Sequence, residues 1–299
     1  MNSRQAPLEM LTIGEALRKS AEFLARKEVD SPRLDAELLL AHALDVDRLR
    51  LYLDFDKPLT AEEEGRYREL ITRRGKHEPV AQLCGRREFM GLEFCVTPAV
   101  LTPRPETEHL VEKALEILRD APVNAGETLE IFDVGAGSGA IAIALVRLAE
   151  RPVRVTASDI SAAALEVARA NAERLNVSTA VEWIEADLFG ERMGPFDLIV
   201  SNPPYIRAQD RESLDADVRD YEPPEALFAG RDGLNVIRRL LAESPQRMKP
   251  GAALLIEIGQ GQADAVRTLV EENTSLEFIE FIPDLQSIPR VMHCRRSIG

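Results

Sequence analysis

The chain has 299 residues, of which 45% are apolar and 29% charged, with a formal net charge of −14. That length holds sizeable buried cores and suggests two domains. The acidic balance works against a polyanionic partner, whose phosphates need clustered Lys and Arg. Cys84, Cys95 and Cys294 are odd in number, widely spaced and without a CxxC, so neither a disulfide framework nor a zinc or other metal site is expected. The N-terminus lacks an apolar segment and the chain has no 18-residue apolar run, so we expect a cytoplasmic chain without signal peptide or membrane span.

Residues 11–75 read as helical throughout. Thr12 and Glu15 have capping-box spacing, as do Thr60 and Glu63 ahead of a helix running to about Arg74. Ser31-Pro32 reads as an N-cap with proline at the first helical position. Leu34, Leu38, Ala41 and Leu44 then form one apolar stripe. The expectation is a small helical bundle over residues 1–85 that holds a partner or steadies the second domain. Over residues 86–102, Phe89, Leu92, Phe94 and Val96 around Gly91 predict a short hairpin or an extended linker. In Leu101-Thr102-Pro103-Arg104-Pro105-Glu106 two prolines flank one arginine just before a helix over 107–119. This is either a plain helix entry or a rigid loop that aims Leu101 or Arg104 into a cleft.

From residue 129 strands and helices alternate. Strands are expected at 129–134, 153–158, 181–185, 196–201, 252–258, 276–282 and 290–294, and helices at 140–149, 161–175, 233–247 and 262–272. That order predicts an α/β fold, a doubly wound and mostly parallel seven-stranded sheet, over residues 103–299. The last two strands have no helix between them, so a final hairpin would make one edge strand antiparallel. Loop 206–231 is long for a compact domain, as functional or mobile loops are.

Four features carry chemistry. Asp133-x-Gly135-Ala136-Gly137-Ser138-Gly139 sits on a strand-to-helix turn, where glycines allow a tight turn and a close ligand approach. The spacing is neither G-x-G-x-x-G nor a Gly-Lys-Ser/Thr phosphate loop. It resembles motif I of S-adenosylmethionine-dependent methyltransferases. Asp159, twenty residues on at the end of the next strand, can accept both hydroxyls of a ribose, unless it merely caps the next helix, a role that Ser161 fills equally well. Asp187, with Leu188 or Phe189 covering a ring, fits the adenine end of an adenosine slot. Asn202-Pro203-Pro204-Tyr205 ends the fourth strand, because two prolines cannot extend a ladder. A planar amide or amino nitrogen is a poor nucleophile. The side-chain oxygen of Asn202 and the carbonyl of Pro203 can accept its two hydrogens and turn its lone pair toward a methyl group. They also stabilise the positive charge that grows on that nitrogen. Pro204 stiffens the backbone and Tyr205 offers a flat wall. No Lys, His or Cys is needed as a base.

These residues together resemble the release-factor glutamine methyltransferases of the HemK/PrmC type. The likeness runs through Ser31-Pro32-Arg33-Leu34-Asp35, Arg87-Glu88-Phe89-Met90-Gly91, Pro103-Arg104-Pro105-Glu106-Thr107-Glu108, the glycine turn, Asn202 to Tyr205, Tyr221-Glu222-Pro223-Pro224 and Ile256-Glu257-Ile258-Gly259. Ala136 and Leu188 stand where other members often carry Thr and an aromatic residue. The resemblance implies methyl transfer from S-adenosylmethionine, leaving S-adenosylhomocysteine, to the side-chain amide nitrogen (N5) of the glutamine in the Gly-Gly-Gln loop of class-I peptide chain release factors. It implies that Asn202, Pro203, Pro204 and Tyr205 hold that glutamine, with Leu101 and Arg104 near the pocket. It implies that Gly135 to Gly139, Asp159, Asp187, Leu188 and Asn202 hold the cofactor, and that the N-terminal bundle docks the release factor. We expect a monomer that binds neither nucleic acid nor membrane. The alternatives are a glutamine methyltransferase acting on a large-subunit ribosomal protein, a nucleic-acid amino-methyltransferase, and a non-enzymatic adaptor that retains the fold.

Overall fold

The structure, a computed structural model, describes residues 10–122 and 126–298. It divides into two compact units, residues 1–85 with 216–221, and residues 86–215 with 222–299.

The first unit opens with helices α1 (Ile13–Arg26), α2 (Pro32–Leu44), α3 (Arg48–Leu53), α4 (Ala61–Arg74) and α5 (Val80–Cys84). Breaks at residues 27–31, 45–47 and 54–60 separate α1 to α4, and the first and last of them end at Ser31 and Thr60, the two helix starts that the sequence marks. Both capping boxes form, Thr12 with Glu15 and Thr60 with Glu63. Ser31 precedes α2 without a side-chain cap bond, so proline at the first position carries that entry. The apolar stripe of α2 is corrected. Leu34 and Leu38 are exposed, whereas Ala36, Leu39 and Leu40 are fully buried. Apolar residues surround α2 almost completely, so its periodicity does not select a face; packing against α1, α3, α4 and α5 does. The buried face also holds an ion pair, Arg74 Nε to Asp35 Oδ2 at 2.7 Å. Burial raises the carboxyl of Asp35 above its ordinary range, against the pull of Arg74.

The second unit begins with a hairpin of β1 (Arg86–Phe89) and β2 (Leu92–Cys95), turning at Met90 and Gly91, both at positive φ. Phe89 and Phe94 are buried and meet edge to face at 6.1 Å, so the hairpin is part of this unit's core. Next come α6 (Pro105–Asp120), β3 (Leu129–Val134), α7 (Ala140–Leu148), β4 (Val153–Asp159), α8 (Ala162–Arg174), β5 (Val181–Glu185) and β6 (Phe196–Ser201). The chain then forms α9 (Ala216–Tyr221), which groups with the first unit, where Tyr221 OH donates to Lys76 O and Gln82 Nε2 to Tyr221 O. It closes with α10 (Asn235–Glu243), β7 (Met248–Glu257), α11 (Ala263–Glu271), β8 (Leu276–Pro283) and β9 (Pro289–Arg296). Loop 206–231 thus carries α9 and two 3-10 turns, and Ile206 bridges Phe228 at its ends.

The seven-stranded sheet has the order β5-β4-β3-β6-β7-β9-β8. Ile131, Leu198 and Val200 pack on one face under α6 and α7; Phe132, Ile199 and Leu254 pack on the other under α10 and α11. Both faces are covered, as a parallel sheet requires. The final hairpin forms, but its antiparallel member is corrected: β9 pairs antiparallel with both β7 and β8, so it lies inside the sheet and β8 is the edge. Strand order reverses between β3 and β6, the switch point where open α/β sheets bind ligands. Among the described residues no helix is long and apolar enough to cross a membrane.

Candidate active site

Sheet register lines up the motif residues. Val134 pairs with both Ser158 and Ser201, and Ser201 pairs with Ile256. Gly135, Asp159, Asn202 and Glu257, each one step further, therefore form a row along the carboxyl edge of β3, β4, β6 and β7. The glycine turn is tied to that edge by Gly135 N and Ala136 N, which donate to Ser158 O at 2.9 and 2.8 Å. Asn171 of α8, fully buried, donates to Ser138 O and Cys95 O and so binds the turn to the hairpin.

Two glycines are needed for different reasons. Gly139 has φ +80, and a Cβ there would sit 2.8 Å from Trp183, so it lets α7 start against β5. Gly137 has φ +53 and, among the described residues, nothing within 4 Å of where its Cβ would be, so its backbone faces open space that a ligand can approach. Asp159 Oδ2 accepts from Gly137 N at 2.8 Å and Oδ1 from Ser161 N at 2.9 Å, while Ser161 Oγ caps α8. The capping role thus falls to Ser161 and leaves Asp159 at the mouth of the turn.

The Asp187 segment divides. Asp187 is paired with Arg239 at 2.9 and 3.1 Å, and both side chains are largely exposed. Leu188 is buried at φ +51, and its carbonyl accepts from Ser158 Oγ. Phe189 is fully buried against Phe132, with Arg247 over its ring, so it is a core residue and does not cover an open slot. Leu101 is half-buried. Arg104 donates to Glu222 Oε2 at 2.6 Å, an ion pair whose acid is almost fully buried.

Around Asn202 the structure builds a hydrogen-bonded chain. Asn202 Nδ2 donates to Thr107 Oγ1 at 3.0 Å, and Thr107 Oγ1 donates to Glu257 Oε2 at 2.6 Å. Tyr205 OH donates to Glu257 Oε1 at 3.3 Å. Burial pushes the Glu257 carboxyl up to about 7 and, with Glu257 beside it, raises the Tyr205 phenol. The backbone of Tyr205 is clamped too. Gln262 Nε2 donates to its carbonyl at 3.0 Å, and a Cβ on Gly233 would lie 2.2 Å from that oxygen. Sequence reasoning gave no role to Thr107, Glu257, Gln262 or Gly233. The signal for Glu257 was present, an acid between two isoleucines in an otherwise apolar strand end.

Asp133 is also buried. Its Oδ2 accepts from Ala142 N at 3.1 Å, and its Oδ1 has no hydrogen-bond partner among the described residues. That spare acceptor, two residues before the glycine turn, suits a cofactor with a cationic amino group, and no Lys stands in the turn for a phosphate. Burial pushes the Asp133 carboxyl up to about 7. Asp133 and Glu257 therefore bind a proton more tightly in the folded than in the unfolded chain. The stability they contribute is fully present below the ordinary carboxylate range and declines as pH rises toward about 7. We expect Asp133→Asn to flatten that decline. Urea unfolding at pH 5, 6 and 7, monitored by the fluorescence of the single tryptophan, Trp183, checks it; parallel slopes in the two proteins would count against it.

A glycine turn and a strand-ending Asn-Pro-Pro-Tyr on either side of the switch point of such a sheet define a methyltransferase. Comparison with known proteins agrees. Residues 15–85 match the PrmC N-terminal domain and residues 110–218 the Methyltransferase small domain. The release factor glutamine methyltransferase of Rhodopirellula baltica is 41% identical over 288 residues, covering 96% of this chain and 97% of its own. That of Koribacter versatilis is 42% identical over 288 residues, covering 96% and 99%. Among solved structures, the hMettl16 catalytic domain in complex with MAT2A 3'UTR hairpin 6 aligns with a TM-score of 0.55 at 14% identity, over 77% of this chain and 82% of that one, a likeness of fold alone. The chain belongs to the release factor glutamine methyltransferase family.

Proposed function

We propose that this protein transfers a methyl group from S-adenosylmethionine to the N5 amide nitrogen of the glutamine in the Gly-Gly-Gln motif of class-I peptide chain release factors, in the cytoplasm. The observation that carries the reading is the orientation of Asn202. With its Nδ2 engaged by Thr107, its Oδ1 is the atom left to accept from a substrate amide. When bound, the cofactor supplies an electrophilic methyl group on a sulfonium.

The chain's own residues supply position and electrostatics. Asn202 Oδ1 and the Pro203 carbonyl take the two hydrogens of the glutamine amide, which directs the nitrogen lone pair along one line. The same acceptors stabilise the charge that develops on nitrogen; as the C–N bond forms the S–CH3 bond would break to leave S-adenosylhomocysteine, and the now acidic nitrogen gives up one hydrogen as a proton to solvent. Tyr205, clamped by Gln262 and anchored on Glu257, forms a wall beside the amide. On the cofactor side the Gly135 to Gly139 turn gives backbone access, Asp159 accepts from the ribose, and Asp187 and Leu188 serve the adenine end. The Arg239 pair leaves Asp187 available, because exposed ion pairs are worth little. Leu101 and Arg104 flank the glutamine, and the first unit docks the release factor.

Mass spectrometry of purified release factor, ribosomal protein and RNA, each incubated with enzyme and cofactor, tests this. A gain of about 14 daltons on the Gly-Gly-Gln glutamine is the expected result, as one methyl group replaces one hydrogen. Methylation confined to the ribosomal protein or to RNA would overturn the substrate assignment.

A further inference from the structure

The chain from Asn202 to Glu257 has a direction. Thr107 has one hydroxyl hydrogen, and it goes to Glu257 Oε2 at 2.6 Å. Tyr205 OH spends its hydrogen on Oε1 of the same carboxylate. Burial pushes this carboxyl up to about 7, and in its ionised form, dominant above that pH, it only accepts, so both neighbours must donate to it. Thr107 Oγ1 is then left as an acceptor toward Asn202, which must turn its NH2 group to Thr107 and its oxygen the other way. The reversed amide would set two oxygens face to face with no hydrogen between them. If Glu257 were a donor instead, every bond in the chain could reverse and the NH2 of Asn202 would face the substrate's NH2.

A packing role does not explain Glu257. It is 2% exposed at the end of β7, between Ile256 and Ile258, which are fully buried. An apolar residue there would suit the sheet, and burying an acid is costly unless its bonds are made. Its two bonds go to groups that lead to Asn202 and Tyr205. Thr107, also buried, sits in the first turn of α6 and, among the described residues, links Asn202 to the acid.

Resting on the function proposed above, we propose that Glu257, acting through Thr107, is a positioning residue that sets the side-chain amide of Asn202 with its oxygen toward the substrate glutamine. Neither group touches the reacting atoms. Their effect is on the rate once substrate is bound, and misplacement of a reacting pair by about 1 Å can lower a rate by about 10²-fold.

Three full-length variants test this, Thr107→Val, Thr107→Ser and Glu257→Gln. Thr107→Val and Glu257→Gln are expected to lower kcat by roughly 10- to 100-fold with little change in KM for the release factor or Kd for the cofactor. Thr107→Ser, which keeps the hydroxyl, should recover most of the rate. The double variant Thr107→Val/Glu257→Gln should be no slower than the worse single variant, because both act through one chain. A readout free of turnover accompanies these: the side-chain 15N–1H amide signals of Asn202, assigned by their loss in Asn202→Ala. They should move in Thr107→Val and Glu257→Gln and return in Thr107→Ser. Amide signals that stay put, a Thr107→Val rate equal to wild type, or Thr107→Ser as damaged as Thr107→Val would each overturn the positioning role. A wild-type enzyme inactive on release factor would overturn the function instead, and the amide signals would still decide the role of Glu257.

Discussion

Asn202→Ala is expected to reduce methyl transfer by at least about 10²- to 10³-fold, the range seen when one preorganised group is removed from a developing charge. The alanine removes the acceptor that holds one substrate hydrogen and helps aim the nitrogen lone pair. It also leaves Thr107 Oγ1 without its donor, while Thr107 keeps its bond to Glu257. The backbone around position 202 should stay in place. Ser201 Oγ still donates to Val134 O at 2.7 Å, and the two prolines still restrict the backbone after it. The loss should therefore fall on kcat, with cofactor affinity changed only modestly. Turnover of purified release factor with labelled cofactor, beside calorimetric cofactor binding, measures both. Wild-type turnover in this variant would refute the amide-holding mechanism.

Arg74→Met is expected to destabilise the helical unit by about 3–5 kcal/mol, the usual consequence of removing one partner of a buried ion pair. Arg74 and Asp35 are each 7% exposed and meet at 2.7 Å, and Arg74 Nη1 also donates to Glu78 O at 3.2 Å. Methionine fills most of the volume but strands the Asp35 carboxylate in a buried site. Adding Asp35→Asn should restore part of the loss, because a neutral amide is far less costly to bury than an unpaired carboxylate. Urea unfolding monitored by circular dichroism at 222 nm reads the helices of both units, whereas the single tryptophan, Trp183, reads the second unit alone, so a shift in the first signal without one in the second isolates the helical unit. An unchanged midpoint, or a double variant weaker than the single, would contradict it. The glycine turn and Asp159 belong to the second unit, so cofactor affinity should persist in the single variant.

The local and periodic parts of this protein are legible in its residues alone. Capping boxes at Thr12 and Thr60 are contacts three residues apart, and both form. Alternating buried strands and amphipathic helices imply a parallel, two-sided sheet, since crossover helices must cover both faces. Gly135, Asp159 and Asn202 each sit at the end of a strand that its own pattern marks, so their common edge is implied once the sheet is parallel. Local rules also left errors. The period of α2 presented Leu34 and Leu38 as its inner face because its apolar residues fall on every side, with Arg33, Asp35, Glu37 and His42 among them, and no side is preferred until its neighbours are in place. The antiparallel strand was set at the edge because a hairpin fixes which two strands pair and leaves open which of them meets β7.

What holds the site together depends on contacts between segments far apart in the chain. Thr107, Asn202 and Glu257 are separated in sequence by 95 and 55 residues, and no periodicity relates them. They meet because β6 and β7 are neighbours in register and α6 enters the same edge. Hydrogen bonds have direction only when donors and acceptors are close enough to be paired one by one. The orientation of the Asn202 amide, on which the proposed chemistry depends, is therefore a property of the folded edge.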